Sequence, residues 1–466
     1  MKCENKRKDE NKIYRGEKMV ETKKRSMTEG SPVKPLIMFT IPMVVGNLFQ
    51  QFYNIIDSII VGNAVGPNAL AAVGASTSIT MLFVMIAVGT GIGFSVVISQ
   101  LFGAKQMEKM KTAIYTAIIT VLVFSIFLSI VGVIINKGIL RLMGTPDAVF
   151  EDAAVYLGIY FYGFVFLFLY NVFSSIFNAL GDSVKPLLFL IFSSLLNIGL
   201  DLLFVIKFNM GVAGVAWATL IAQGISAVLS FVFLMKKIHS YKTGEYQKFD
   251  GKLLQNMVKV AIPTVIQQSI VSIGMILVQS VVNRFGEVFL AGYTAAVKID
   301  GIAIVPMVAV GNATSTYVAQ NMGAGKPERI SKGYRICLMM AAGIGLVIAV
   351  ICHFFGEAFV GLFMDSTTGA DAIAIGAQYL SIVSIFYFVM GMMNVSSGVL
   401  RGAADMKWFL AGSLANLAVR VILSWTLAIP TGGLIIMWAN PIGWGLGLAI
   451  SVCRYFQGGW KNKRLV

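Results

Sequence analysis

The chain has 466 residues, 57% of them hydrophobic and only 13% charged, whereas an ordinary soluble domain carries about 25% charged residues. A water-soluble fold is therefore excluded, and the net charge of +15 reads as loop charge that sets membrane orientation rather than as a nucleic-acid surface. Cys3, Cys337, Cys352 and Cys453 lack metal-ligand spacing, and His239 and His353 stand apart, so no metal centre and no cofactor is expected.

Residues 1-34 mix basic and acidic side chains with few apolar ones and are expected to form a disordered tail. No small-residue cleavage site follows them, so the first apolar run is expected to remain in the membrane. A spanning helix needs about 20 mostly apolar residues. Twelve such helices are predicted at 35-60, 69-100, 112-136, 153-179, 186-206, 211-235, 255-283, 288-318, 333-355, 373-400, 408-429 and 433-456. Gly66-Pro67, Gly144-Thr145-Pro146, Gly181-Asp182 and Gly432-Gly433 sit where apolar runs stop.

The parity of the loops tests this count. Of 37 Lys and Arg, 30 fall on one side and four (Lys137, Arg141, Lys207, Arg284) on the other, with Lys259, Lys298 and Arg420 inside helices. Both termini are therefore placed in the cytoplasm, in a multi-pass protein of the cell (inner) membrane. The expected organisation is a tail (1-34), a six-helix lobe (35-235), a cytoplasmic linker (236-254), a second six-helix lobe (255-456) and a basic tail (457-466).

At an offset of about 220 residues the chain resembles itself: Ile41-Pro42 answers Ile262-Pro263, Gln100-x-x-Gly103-Ala104 answers Gln320-x-x-Gly323-Ala324, Gly181-Asp182 answers Ala404-Asp405, and Asn197 answers Asn416. Six helices separate the partners, an even number, so the halves run parallel about an axis along the membrane normal. Such repeats suit a transporter that opens alternately to each side, although a duplicated scaffold would share them.

Asp57, Asp201 and Asp300 are the acids well inside helices, where charge is costly and marks function. Asn47, Gln50, Asn54 and Asp57 follow spacings of 3, 4 and 3 on one face of helix 1, beside Tyr53. Asn197 and Asp201 are i and i+4 on helix 5, and Thr219 on helix 6 lies at a similar depth. Carboxylate, amide and hydroxyl oxygens suit a hard cation such as sodium, and neighbouring desolvated carboxylates suit a proton; an acid that merely locks two helices is the alternative. In the second half, Asp300 with Lys298 or Arg420 is expected to form a structural ion pair more readily than a second transport site. Pro42 and Pro263 favour kinks. The Gly89-x-Gly91-x-Gly93 run follows no strand and reads as close helix packing rather than nucleotide binding. No Walker sequence or catalytic Ser-His arrangement appears, so the chain is not expected to be an enzyme.

In their order and doubling, these motifs, together with Gly181-Asp182-Ser183 and Asn197-x-x-x-Asp201, resemble the multidrug and toxic compound extrusion (MATE) family over residues 32 to 456, most closely its DinF-like branch. The resemblance implies an all-α protein with two six-helix lobes forming a V, monomeric in lipid, exchanging cationic or amphipathic organic compounds for protons or sodium. It implies an ion-binding network of Asp57, Asn197, Asp201 and Thr219, with Pro42 as the bending point and Gln50, Tyr53 and Asn54 near the substrate path. Another branch uses a glutamate on helix 7 that this chain lacks. A lipid-linked oligosaccharide flippase and a non-transporting membrane scaffold are the competing readings.

Overall fold

The computed structural model describes residues 27–364 and 369–465, and every regular element among them is helical. Twelve spans follow in order: α1 Val33–Ala64, α2 Pro67–Gly103, α3 Met107–Leu142, α4 in two pieces (Asp147–Tyr162 and Phe164–Ala179), α5 Val184–Asp201 continuing as a π-helical turn Leu202–Lys207, and α6 Gly211–Ser240. The second half repeats them: α7 Gly251–Val282, α8 in two pieces (Glu287–Ala303 and Val305–Gly323), α9 Pro327–Gly361, α10 in two pieces (Ala370–Ser384 and Tyr387–Gly402), α11 Met406–Thr431 and α12 Leu434–Gln457. The chain is thus an all-helical, multi-pass membrane protein with the expected number of spans.

The helices outrun the predicted segments, as α3 does at both ends, because hydropathy marks only the hydrocarbon-crossing part while the helix continues into the polar flanks. Two spans that read as straight are bent, α4 by 50° at Gly163 and α10 by 51° at Ile385 and Phe386. The bends occupy equivalent places in the two halves, yet only the first contains a glycine. Conversely, α1 and α7 pass through Pro42 and Pro263 as continuous helices.

Each half is a lobe with its own core. In the first, Phe161, Phe164, Phe168, Phe173 and Phe177 of α4 are almost wholly buried; in the second, Tyr379 and Tyr387 of α10 take that place. Large apolar side chains such as Phe127, Ile134 and Phe354 stand exposed instead, as a lipid-facing wall requires. Between the lobes α2 packs on α7, with Gly89 and Gly93 set directly against the backbone of Val265 and Ala261. Those glycines thus serve close helix packing.

Contacts concentrate at the end of the molecule that carries both termini. Gln100 Nε2 donates to the Gly402 carbonyl at 3.2 Å, and Gln320 Nε2 to that of Ala179 at 2.8 Å. Residues 458–465 are drawn into this seam: Trp460 is fully buried, Arg464 donates to the Gly323 carbonyl at 3.1 Å, and the Leu465 amide donates to Gln100 Oε1 at 3.1 Å. The predicted disordered tail lies outside the described residues up to position 26, and its last part is packed. Met27 is buried, and its carbonyl accepts from Asn321 Nδ2 at 3.1 Å and from Arg329 Nη2 at 3.3 Å. The linker runs along the start of α3, its amides at Gly244, Gln247 and Asp250 donating to Glu108, Thr112 and Thr116. The Asp250 carboxylate then caps α7.

Candidate functional site

Tyr53 and Asp57, four residues apart on α1, turn into the first lobe and meet Asn197 and Asp201 of α5. Asn197 and Asp201 are buried on the facing side of α5, at 2% and 0% exposure. The Asp57 and Asp201 carboxyl groups lie within hydrogen-bonding reach of each other. Two carboxylates offer only acceptors, so the contact needs a proton or a cation between them. One oxygen of each, Asp57 Oδ1 and Asp201 Oδ1, is buried without a hydrogen-bond partner. Asn197 completes the cluster. Its amide nitrogen faces Asp201 Oδ2 at 3.1 Å and the Tyr53 hydroxyl, while its oxygen accepts from the Thr219 amide at 3.0 Å. The Thr219 hydroxyl stands 3.4 Å from the same amide.

Local structure aims these groups. Immediately after Asp201, α5 loosens into the π-helical turn, a feature frequent at functional sites because it releases one backbone bond and re-aims its side chains. Spacing put Asp57, Asn197, Asp201 and Thr219 at a common depth and the family resemblance put Tyr53 near the substrate path; the fold sets all five side by side. Gln50 and Asn54 pair with each other instead, Gln50 Nε2 donating to Asn54 Oδ1 at 3.1 Å on the exposed side of α1. Pro42 lies near the other end of α1. Sequence reasoning missed Tyr156, buried on α4 close enough to both acids to feel their charge, and Tyr160, whose ring packs beside Tyr156 and Phe164. Two tyrosines at i and i+4 look like helix packing, and nothing local marks them otherwise.

The second lobe departs from expectation. Asp300 forms no ion pair with Lys298 or Arg420; the ion pairs among described residues lie elsewhere. Its Oδ1 accepts from the Tyr387 hydroxyl at 2.7 Å, and the Tyr379 hydroxyl also reaches it. Asn440 in turn donates to Tyr379 at 3.0 Å. Neutral phenols satisfy a buried carboxylate's lone pairs without a second buried charge, which explains why the arginine and lysine are not drawn in. Lys298 is exposed, its ammonium 5.7 Å from the Phe363 ring. Val278, at the place equivalent to Asp57, is a buried core residue.

Comparison with known proteins follows the same two-fold division. The MatE family profile matches twice, over residues 42–203 and 263–426. The chain is 32% identical over 447 residues to a probable multidrug resistance protein, YpnP, of Bacillus subtilis, covering 94% of this chain and 98% of that protein. Two solved structures share the fold at 24% identity: a MOP superfamily transporter from Pyrococcus furiosus, with TM-score 0.88 over 94% of this chain and 99% of that one, and an outward-facing multidrug resistance MATE family transporter, with TM-score 0.86 over 94% and 99%.

Proposed function

The chain belongs to the multidrug and toxic compound extrusion family, and from that premise we propose that it is a secondary antiporter exporting cationic or amphipathic organic compounds. The name of its Bacillus subtilis relative supports the efflux part of this reading. The single observation that carries the coupling part is the Asp57–Asp201 contact: two carboxyl groups in reach of each other, each with one unpartnered buried oxygen. Such a pair is unstable when both groups are charged and empty of cation, so it exchanges one bound cation for another.

The sequence of events follows from that instability. With both termini cytoplasmic, as the 30 basic residues on that side support, the end where Gln100 and Gln320 bridge the lobes faces the cytoplasm. A proton or sodium ion arriving from outside satisfies Asp57, Asp201, Asn197 and Thr219, and the organic cation leaves. The engine sits in the first lobe, as in the DinF-like branch. Each charge moved inward through 100 mV supplies about 2.3 kcal/mol.

The test is efflux of a fluorescent cation from proteoliposomes under an imposed proton or sodium gradient. Asp57→Asn is expected to abolish gradient-driven efflux while inserting normally, and the gradient that drives the wild-type protein identifies the coupling cation. Undiminished efflux by the variant would overturn the assignment.

A further inference from the structure

Arg420 occupies the position on α11 that the repeat equates with Asp201. It lies close enough to Asp300, Tyr293 and Tyr379 to act on them electrostatically. It nevertheless makes no hydrogen bond or ion pair with any described residue, and its Nε is buried without an acceptor. Asp300 does not answer this need: it forms no ion pair with Arg420, and its Oδ1 accepts from the Tyr387 hydroxyl.

A guanidinium carries five N–H donors in a planar fork and keeps its charge under all physiological conditions. With its Nε buried and unpaired it is a costly group, and the fork geometry matches the paired oxygens of a carboxylate or phosphate. We propose that the second lobe holds a binding site for an oxyanion, the carboxylate or phosphate of an amphiphilic substrate, seated on the Arg420 guanidinium and flanked by the tyrosines around Asp300. This rests on the transporter reading above and extends it: the first lobe handles positive charge, and the second accepts a negative group of the same or another cargo molecule.

The experiment uses two matched probe pairs that differ only in the acidic group: rhodamine 110, with a free carboxylate, against its methyl ester rhodamine 123, and flavin mononucleotide against riboflavin. Binding is followed by fluorescence anisotropy to the full-length protein in nanodiscs, for wild type, Arg420→Lys and Arg420→Gln. At least one acidic probe is expected to lose roughly tenfold or more in affinity in Arg420→Gln, with partial retention in Arg420→Lys and unchanged binding of rhodamine 123. A response to rhodamine 110 alone assigns the site to carboxylates, and one to flavin mononucleotide alone to phosphates. Equal affinity of wild type and Arg420→Gln for both acidic probes overturns the proposal while leaving the cation-export reading intact. Equal loss of rhodamine 123 in Arg420→Gln assigns the arginine to structure and overturns it as well. A wild-type protein that binds none of the four probes removes both readings together.

Discussion

Gly103 of α2 and Gly323 of α8 stand in reciprocal contact across the lobe boundary: a Cβ added to Gly103 would overlap the Gln320 carbonyl oxygen, and one added to Gly323 would overlap the Gln100 carbonyl oxygen. Each glycine is a hydrogen-sized gap through which the other lobe's backbone passes, so the sealed end depends on both.

Backbone cannot yield as a flexible side chain does, so Gly323→Ala is expected to part the lobes at this end. Overpacking of this kind costs about 1–3 kcal/mol, enough to move a large share of molecules into the form open on the terminal side. Spin labels at Lys109 and Lys332, both exposed near the seam, report the change as a longer distance population. An unaltered distribution would show that the seam relaxes locally instead.

In the first lobe, Asn197 links Tyr53, Asp201 and Thr219. Asn197→Ala strips Asp201 Oδ2 of its amide donor and is expected to lower stability by about 1–3 kcal/mol and to abolish gradient-driven efflux. Gln50→Ala, in the exposed Gln50–Asn54 pair, is expected to leave stability within about 0.5 kcal/mol. Thermal unfolding and proteoliposome efflux, read on both variants, separate the Asn197 cluster from that pair.

Asp300 is held by phenol hydroxyls, so Tyr387→Phe, which removes the 2.7 Å donor, is expected to destabilise the second lobe by about 1.5–3 kcal/mol. Lys298→Ala is expected to change stability by less than about 0.5 kcal/mol, since its exposed ammonium pairs with no carboxylate among the described residues. The comparison is made by thermal unfolding in detergent; a larger loss from Lys298→Ala would restore the ion pair.

Gly181 and Ala404 take left-handed backbone conformations, with φ of 76° and 61°, at equivalent turns. Each precedes an aspartate in an ion pair, Asp182 with Lys237 at 2.9 Å and Asp405 with Arg454 at 2.6 Å. The left-handed region disfavours any side chain with a Cβ. Ala404→Gly is therefore expected to stabilise the protein and Gly181→Ala to destabilise it, by about 1 kcal/mol in each case, measured as opposite shifts in unfolding midpoint.

These turns also show how far the sequence reached. The pairing of Gly181-Asp182 with Ala404-Asp405 was legible from spacing, but the lysine and arginine that answer the two aspartates were not, because they enter from α6 and α12. The buried acids on α1 and α5 were legible because charge within an apolar run is conspicuous at any distance from its partner. Tyr156 was not, since a tyrosine amid aromatic residues has no distinguishing local context.

By itself, the sequence determined the twelve spans, the doubling of the frame and the failure of its ionisable residues to repeat, Asp201 facing Arg420 across the offset. These follow from hydropathy, charge and spacing, which are properties of single segments. Only the tertiary structure decided that Asp57 touches Asp201, that Gln50 and Asn54 stay outside that contact, and that Asp300 answers to Tyr387 rather than to Arg420 or Lys298. A helix's 3.6-residue period tells which side chains share its face, whereas the neighbour that face meets depends on how the helix is rotated and crossed, and that is set by the packing of all twelve together.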